Sequence, residues 1–181
     1  VNKNLAAMEK FAEKYPRMKM YFMLAPNAQE IYSDTLPANC GAADQKLFIK
    51  NCYDSLPSIT GIDVYSGLLA AKNEYIYYRT DHHWTSYGAY IGYKSAASAM
   101  KFTAYSEDKF SIEHASNEFR GTLYSKTLDN GITPDTIDIY TLANNEPQVK
   151  VSVYKSGPKP DSTYSSLSVS YTHLRAHETV L

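Results

Sequence analysis

The fold class of this chain is decided by the run Lys19-Met20-Tyr21-Phe22-Met23-Leu24-Ala25. An apolar run of this length, followed by the turn signal Pro26-Asn27, is typical of a strand buried in a parallel sheet. Around it, apolar spacing predicts helices at 4–15 and 43–56, a second strand at 60–65 and a short helix at 66–73. This alternation of helix and strand predicts an α/β protein.

The polar loop that follows the first strand extends from Pro26 to about Gly41. In open α/β sheets, the loops at the carboxyl ends of strands build the sites. Asn27 is therefore a candidate polar group of a site, and a purely local role in the turn is the competing interpretation.

The second half of the chain is predicted to be less regular. Thr85 or Ser86 can cap a helix at 86–101, and residues 102–130 are expected to be irregular. Alternating apolar residues predict strands at 135–142 and 149–154, which could pair with each other antiparallel.

Composition and charge argue against a nucleic-acid-binding protein. A hydrophobic content of 44% in 181 residues is enough for one core, and a net charge of −1 without a basic patch argues against a nucleic-acid partner. No cofactor motif and no zinc-type cysteine or histidine cluster is present.

Cys40 and Cys52 predict either a disulfide or two buried thiols. The 17 tyrosines suit either carbohydrate-facing clefts or the ordinary flanks of helices and strands.

The chemically most capable stretch is Tyr77-Tyr78-Arg79-Thr80-Asp81-His82-His83-Trp84-Thr85. In an extended backbone, Asp81 and His83 lie on one face, and His82 and Trp84 lie on the other. A carboxylate beside an imidazole is the base-and-orienter pair of nucleophilic catalysis, so we predict catalytic roles for Asp81 and His83. His82 and Trp84 are predicted to anchor the segment.

Two other interpretations of this stretch stay open. An Asp-x-His spacing can be a surface hydrogen bond that arises by chance. Metal binding by Asp81, His82 and His83 is the second alternative, but adjacent histidines diverge on a strand, and we therefore expect no metal.

A serine nucleophile should complete the set, yet no Gly-x-Ser-x-Gly motif occurs. Ser125 is the best local candidate, with Ser33 weaker. Ser125 lacks the strand-to-turn context that exposes a nucleophile, so a structural role in a loop competes.

The central stretch, continued by Ser86-Tyr87-Gly88-Ala89-Tyr90, closely resembles the bacterial DHHW-motif family, which is similar to the SGNH-hydrolase-like domains of alginate O-acetyltransferases. Softer matches are 24–32 with Leu36-Pro37, and 119–126. The resemblance implies a three-layer α/β/α, flavodoxin-like sandwich. It implies that Asp81 and His83 serve a serine in acyl transfer or ester hydrolysis on cell-envelope polysaccharide. Candidate substrate-binding residues are Asn27, Arg79 and Tyr124.

In such relatives the serine follows the Asp-His block, and we expect it beyond residue 155. The chain is therefore expected to be a partial SGNH-like domain at 1–169, with an incomplete sandwich and no activity as it stands. Residues 170–181 resemble translated sequencing-adapter read-through and are expected to be a non-native tail.

The resemblance further implies export to the cell envelope or beyond, a polysaccharide or acyl-ester substrate, and a membrane-associated protein as acyl donor. A non-catalytic carbohydrate-binding or envelope-scaffold domain is the alternative, motivated by the many tyrosines.

Overall fold

The computed structural model describes residues 1–143, 151–154, 157–160 and 162–164. The chain forms two compact units, one made of 1–104 with 121–132 and the other of 105–120 with the described residues from 133 onward. The expected tail at 170–181 lies outside the described residues, and the domain end at 169 stays a prediction.

The first unit contains a parallel pair of strands, β1 (Tyr21–Met23) and β2 (Thr60–Ile62), with Phe22 opposite Gly61. Its helices are α1 (Asn2–Lys14), α2 (Ala28–Ile31), α3 (Gln45–Asp54), α4 (Tyr65–Ala70), α5 (Ser86–Met100) and α6 (Thr122–Thr127). Parallel strands need a crossover connection, and α3 lies within the one that joins β1 to β2. The predicted α/β class is confirmed, with strands shorter than the apolar runs that predicted them.

Two groups of buried apolar side chains form the core of this unit. One lies around α4 and α5 and consists of Ile31, Val64, Leu68, Ile76, Tyr77 and Ile91. The other lies around α1 and α3 and consists of Leu5, Ala12, Cys52, Leu56 and Ile59. Cys52 is buried there, whereas Cys40 is exposed, and both are free thiols. The disulfide alternative is therefore wrong, and so is the burial of Cys40.

Tyr53 ties the carboxyl ends of the two parallel strands together. Its hydroxyl accepts from the backbone nitrogen of Leu24 (3.0 Å) and donates to the carbonyl of Ile62 (2.8 Å). The ring covers Gly61, where an added Cβ would lie 2.7 Å from it. This end of the sheet is thus held in place by a side chain from α3.

The second unit is antiparallel. Strand β3 (Phe110–Phe119) pairs with β4 (Asp135–Leu142), with register shifts after His114 and after Ser116. A further pair is β5 (Val151–Val153) with β6 (Ser162–Tyr164). Among the described residues, the helices are all too short or too polar to cross a bilayer.

Two predictions are corrected by these strands. The segment 102–130 is not irregular, because it contains β3 and α6. The strand predicted at 135–142 is confirmed, but it pairs with β3 and not with 149–154, of which residues 149 and 150 lie outside the described part. Most positions of β3 are polar or exposed, so apolar alternation does not mark it as a strand.

Candidate active site

The site is a short loop, residues 78–83, which we call the Asp-His loop. An antiparallel bridge between Tyr77 and Trp84 closes its base, and the backbone nitrogen of Tyr78 donates to the carbonyl of His83 (3.2 Å). Thr85 then caps α5: its hydroxyl accepts from the nitrogen of Gly88 (3.2 Å) and donates to the carbonyl of Tyr75 (2.6 Å). The loop is therefore fixed at both ends.

Asp81 and His83 meet through a side-chain turn. Oδ1 of Asp81 accepts from the backbone nitrogen of His83 (2.9 Å) and lies 2.5 Å from its Nδ1. An aspartate that binds the nitrogen two residues later is a local motif that replaces extended backbone. The predicted pair is thus present, although the predicted alternation is not its cause. Since Nδ1 is bonded to the carboxylate, Nε2 of His83 is the nitrogen left for proton transfer.

The other carboxylate oxygen is held by α6. Oδ2 of Asp81 accepts from the backbone nitrogen of Thr122 (2.9 Å) and from its hydroxyl (3.0 Å). The start of α6 is in turn bound to Thr80, whose hydroxyl accepts from Gly121 (2.9 Å) and whose carbonyl accepts from Leu123 (2.9 Å). Sequence reasoning assigned no role to Gly121 or Thr122, although both lie in the 119–126 stretch that supported the family resemblance.

These contacts set the charge of Asp81, which is only 4% exposed. Burial raises the pKa of Asp81, whereas the hydrogen bonds from Thr122 and His83 lower it, and the net pKa lies below the ordinary aspartate value. The carboxylate is therefore ionised at neutral pH. It can hold the His83 ring in one orientation and stabilise the imidazolium that forms when His83 takes up a proton.

We expect this carboxylate to make stability depend on pH. Because the pKa of Asp81 is lower in the folded state, its contribution is complete above about pH 4 and is lost as the pH falls through the lowered value. Asp81→Asn should cost about 2 kcal/mol at neutral pH, since an amide group would face the donors of Thr122. Denaturant unfolding of both chains between neutral and acidic pH measures the difference, which should shrink on acidification. A difference that does not change with pH contradicts this account.

His82 does not occupy the face that alternation predicts. Its side chain is 58% exposed, its Nδ1 lies 2.8 Å from the hydroxyl of Thr122, and its ring centroid is 3.8 Å from that of His83. The prediction that His82 points away from His83 into an anchoring face is therefore wrong. Trp84, by contrast, packs against the core around α4 and α5, with its ring over Gly92.

A cavity of about 550 Å³ borders the loop next to Asp81 and His82. Four tyrosines line it, namely Tyr32, Tyr75, Tyr77 and Tyr78. The hydroxyl of Tyr77 donates to the carbonyl of Pro26 (2.6 Å), so the wall of the cavity also ties the loop to the segment after β1. Burial raises the pKa of Tyr77, which stays a neutral hydrogen-bond donor.

Of the three predicted substrate-binding residues, the structure brings two to this cavity. Arg79 lines it, with its guanidinium 4.6 Å from the ring centre of Tyr75. Asn27 lines it as well, and it also caps α2 by accepting from the nitrogen of Glu30 (3.3 Å), so it has the local role too. Tyr124 is directed elsewhere, since its hydroxyl donates to Asn130 (2.7 Å).

Asp81, His82 and His83 also form the kind of group that can bind a metal, with ligand atoms within 4.8 Å of one another. Both oxygens of Asp81 accept hydrogen bonds, and Nδ1 of each histidine has a polar partner. A metal ion at Nδ1 of His83 would have to displace the proton that joins this nitrogen to Asp81. The arrangement is therefore suited to proton transfer.

Ser125, the local candidate for a nucleophile, is bound to its own helix. Its hydroxyl donates to the carbonyl of Gly121, one turn earlier in α6 (3.2 Å). This is the structural role that competed with catalysis, and it directs the hydroxyl to the backbone of α6.

A family model described as DHHW protein matches residues 3–156. No curated protein sequence matches the chain. A solved DHHW family protein from Eubacterium siraeum is 30% identical, with a TM-score of 0.69 over 77% of this chain and 47% of that one.

Two more distant structures share the fold. Bacillus cereus PatB1, solved with a sulfonyl adduct, is 16% identical with a TM-score of 0.68, over 90% of this chain and 54% of that one. The O-acetyltransferase domain of Pseudomonas putida AlgJ is 17% identical with a TM-score of 0.59, over 78% and 56%. The chain thus spans about half the length of these relatives, and the fold implied by the family resemblance is confirmed.

Proposed function

Because this chain belongs to the DHHW family, we propose that it carries the acid–base pair of an enzyme that transfers or removes acyl groups on polysaccharide. The observation that supports this most directly is the Asp81–His83 pair. Its carboxylate is buried and accepts hydrogen bonds at both oxygens, while the imidazole is 46% exposed and can reach a reactant. This asymmetry suits an orienter behind a base.

In the proposed reaction, Nε2 of His83 takes the proton of a serine hydroxyl as that oxygen attacks the ester carbonyl. The imidazolium returns the proton to the leaving alkoxide, and an acyl-serine forms. A sugar hydroxyl or water then attacks the acyl-serine, with His83 again as base, and serine is released. The nucleophile is assigned to a serine outside the described residues, so the full-length protein performs the reaction and the described part alone does not.

The substrate side of the proposal rests on the cavity. Tyrosine rings with polar tips and the nearby groups of Asn27 and Arg79 suit the alternating apolar and hydroxyl faces of sugars. Among the structures that share the fold, the AlgJ domain is an O-acetyltransferase. We therefore propose acetyl as the acyl group, a polysaccharide as acceptor and a membrane-associated protein as donor, with the protein exported to the bacterial cell envelope or beyond.

The test uses the full-length protein with 4-nitrophenyl acetate, and phenylmethylsulfonyl fluoride as a reagent for nucleophilic serines. We expect turnover of the ester, modification of one serine by mass spectrometry, and loss of turnover in proportion to that modification. Absence of turnover, or full activity after complete modification, would overturn the proposal.

The four tyrosines that line the cavity favour one second candidate, a carbohydrate-binding module without catalysis. Its signature is different: acetylated glycan should bind the full-length protein, and no acetate should be released. Calorimetry combined with an acetate assay on the same samples separates the two functions.

A further inference from the structure

Thr122 lies between His82 and the carboxylate of Asp81. Its hydroxyl oxygen is 3.0 Å from Oδ2 of Asp81 and 2.8 Å from Nδ1 of His82. Its backbone nitrogen donates to the same Oδ2 (2.9 Å), which fixes the residue against the carboxylate.

The positions of the protons follow from what each group can donate. An ionised carboxylate only accepts, and a threonine hydroxyl has one proton to give. If that proton pointed to His82, two acceptor oxygens would face each other at 3.0 Å without a proton between them. The hydroxyl must therefore donate to Asp81, and its lone pairs face His82. Nδ1 of His82 consequently carries a proton.

We propose that Thr122 is a positioning residue of the acid–base pair, and that it holds His82 with the proton on Nδ1 while it donates its own proton to Asp81. The result is a directed chain of hydrogen bonds from His82 through Thr122 to Asp81, with His83 bound to the opposite carboxylate oxygen. Such a chain polarises each of its members and fixes the carboxylate in its plane. The catalytic part of this inference rests on the proposed function, whereas the position of the proton does not.

The chain of hydrogen bonds also fixes the tautomer of His82 beside the cavity. With Nδ1 bonded to Thr122, Nε2 of His82 is an acceptor in the neutral ring. His82 lines the cavity and its ring lies against that of His83, so this acceptor is available to a hydroxyl of a bound substrate.

The test compares Thr122→Val, which keeps the shape and the backbone nitrogen, with Thr122→Ser, which restores the hydroxyl. Nitrogen-15 NMR of histidine in the 181-residue chain reports the tautomers directly. We expect His82 to carry its proton on Nδ1 in the wild type and in Thr122→Ser. In Thr122→Val we expect a mixture with the Nε2 tautomer.

Activity is measured in the full-length protein. Thr122→Val should lower kcat for acetyl-ester turnover about tenfold with little change in KM, and Thr122→Ser should recover most of it. A general loss of folding would lower kcat in both variants, and a thermal melting curve of each variant detects it.

Two results overturn the inference. A wild-type His82 with its proton on Nε2 contradicts the hydrogen-bond chain, whatever the activity. The expected tautomers with an unchanged kcat in Thr122→Val contradict the positioning role. If the full-length protein turns over no ester, the proposed function fails, and the tautomers still decide whether the hydrogen-bond chain exists.

Discussion

Replacing His83 with alanine is expected to lower acetyl-ester turnover by the full-length protein about 10⁴-fold or more. The substitution removes the nitrogen that we propose as acceptor of the serine proton and leaves the carboxylate of Asp81 without the ring it binds. Because the His83 side chain is nearly half exposed, the cavity left by alanine fills with water and the fold should persist. Steady-state kinetics with 4-nitrophenyl acetate, together with a melting curve of each variant, separates chemistry from stability.

The chain contains a matched control for this substitution. His114 on β3 has the same kind of partner, with its Nδ1 2.6 Å from Oδ1 of Asp138 on β4. That pair is a solvent-exposed cross-strand contact, since the His114 side chain is 69% exposed. His114→Ala should leave turnover unchanged. An equal loss in both variants, or no loss in His83→Ala, contradicts the assignment of His83 as the base.

Asp81, the hydrogen-bond partner of His83, provides a stricter test of whether the two residues act as a unit. Asp81→Asn places an amide group among donors that need an acceptor, and it no longer fixes the tautomer of His83. A loss of about 10⁴-fold is expected. Residues that act together are far from additive, so Asp81→Asn combined with His83→Ala should be no worse than His83→Ala alone. Losses that multiply indicate two independent roles.

The sequence predicted this pair because the information is local. An aspartate two residues before a histidine can reach it within one loop, and the Thr85 cap marks the start of the next helix. The detailed geometry was not predictable by alternation, because the side chain of Asp81 binds the backbone of His83 and bends the loop out of extended conformation. That bend brings His82 beside His83.

The contacts that complete the site are distant in sequence. Thr122 lies 41 residues after Asp81, and the strand that precedes it, β3, is polar enough to lack an apolar pattern. No periodicity in a single sequence reports that Gly121 and Thr122 dock on the loop. Strand β1 was predictable for the opposite reason, since it lies within a continuous apolar run, which is typical of a parallel strand.

Gly121→Ala is expected to have the second large effect, on stability and on turnover together. An added Cβ at Gly121 would lie 2.4 Å from the Cβ of Asp81 and 2.5 Å from its Oδ2. The backbone of Gly121 has φ of −89°, which any residue adopts, so the need for glycine here is one of space and not of conformation. Neither partner can withdraw easily, because Gly121 donates to Thr80 and Asp81 is held through both oxygens.

We therefore expect Gly121→Ala to lower the free energy of unfolding by about 3 kcal/mol, as overpacking of a tight contact does. Turnover should fall further than in Thr122→Val, since the carboxylate itself is displaced. Gly131→Ala is the control. Gly131 lies on an exposed turn, and its added Cβ would approach a single atom, the side-chain Oδ1 of Asp129, at 3.1 Å. Denaturant unfolding and kinetics on both variants give the measurement. If Gly121→Ala keeps both stability and turnover, Asp81 has room to move, and the close docking of α6 on the Asp-His loop is not what holds the carboxylate.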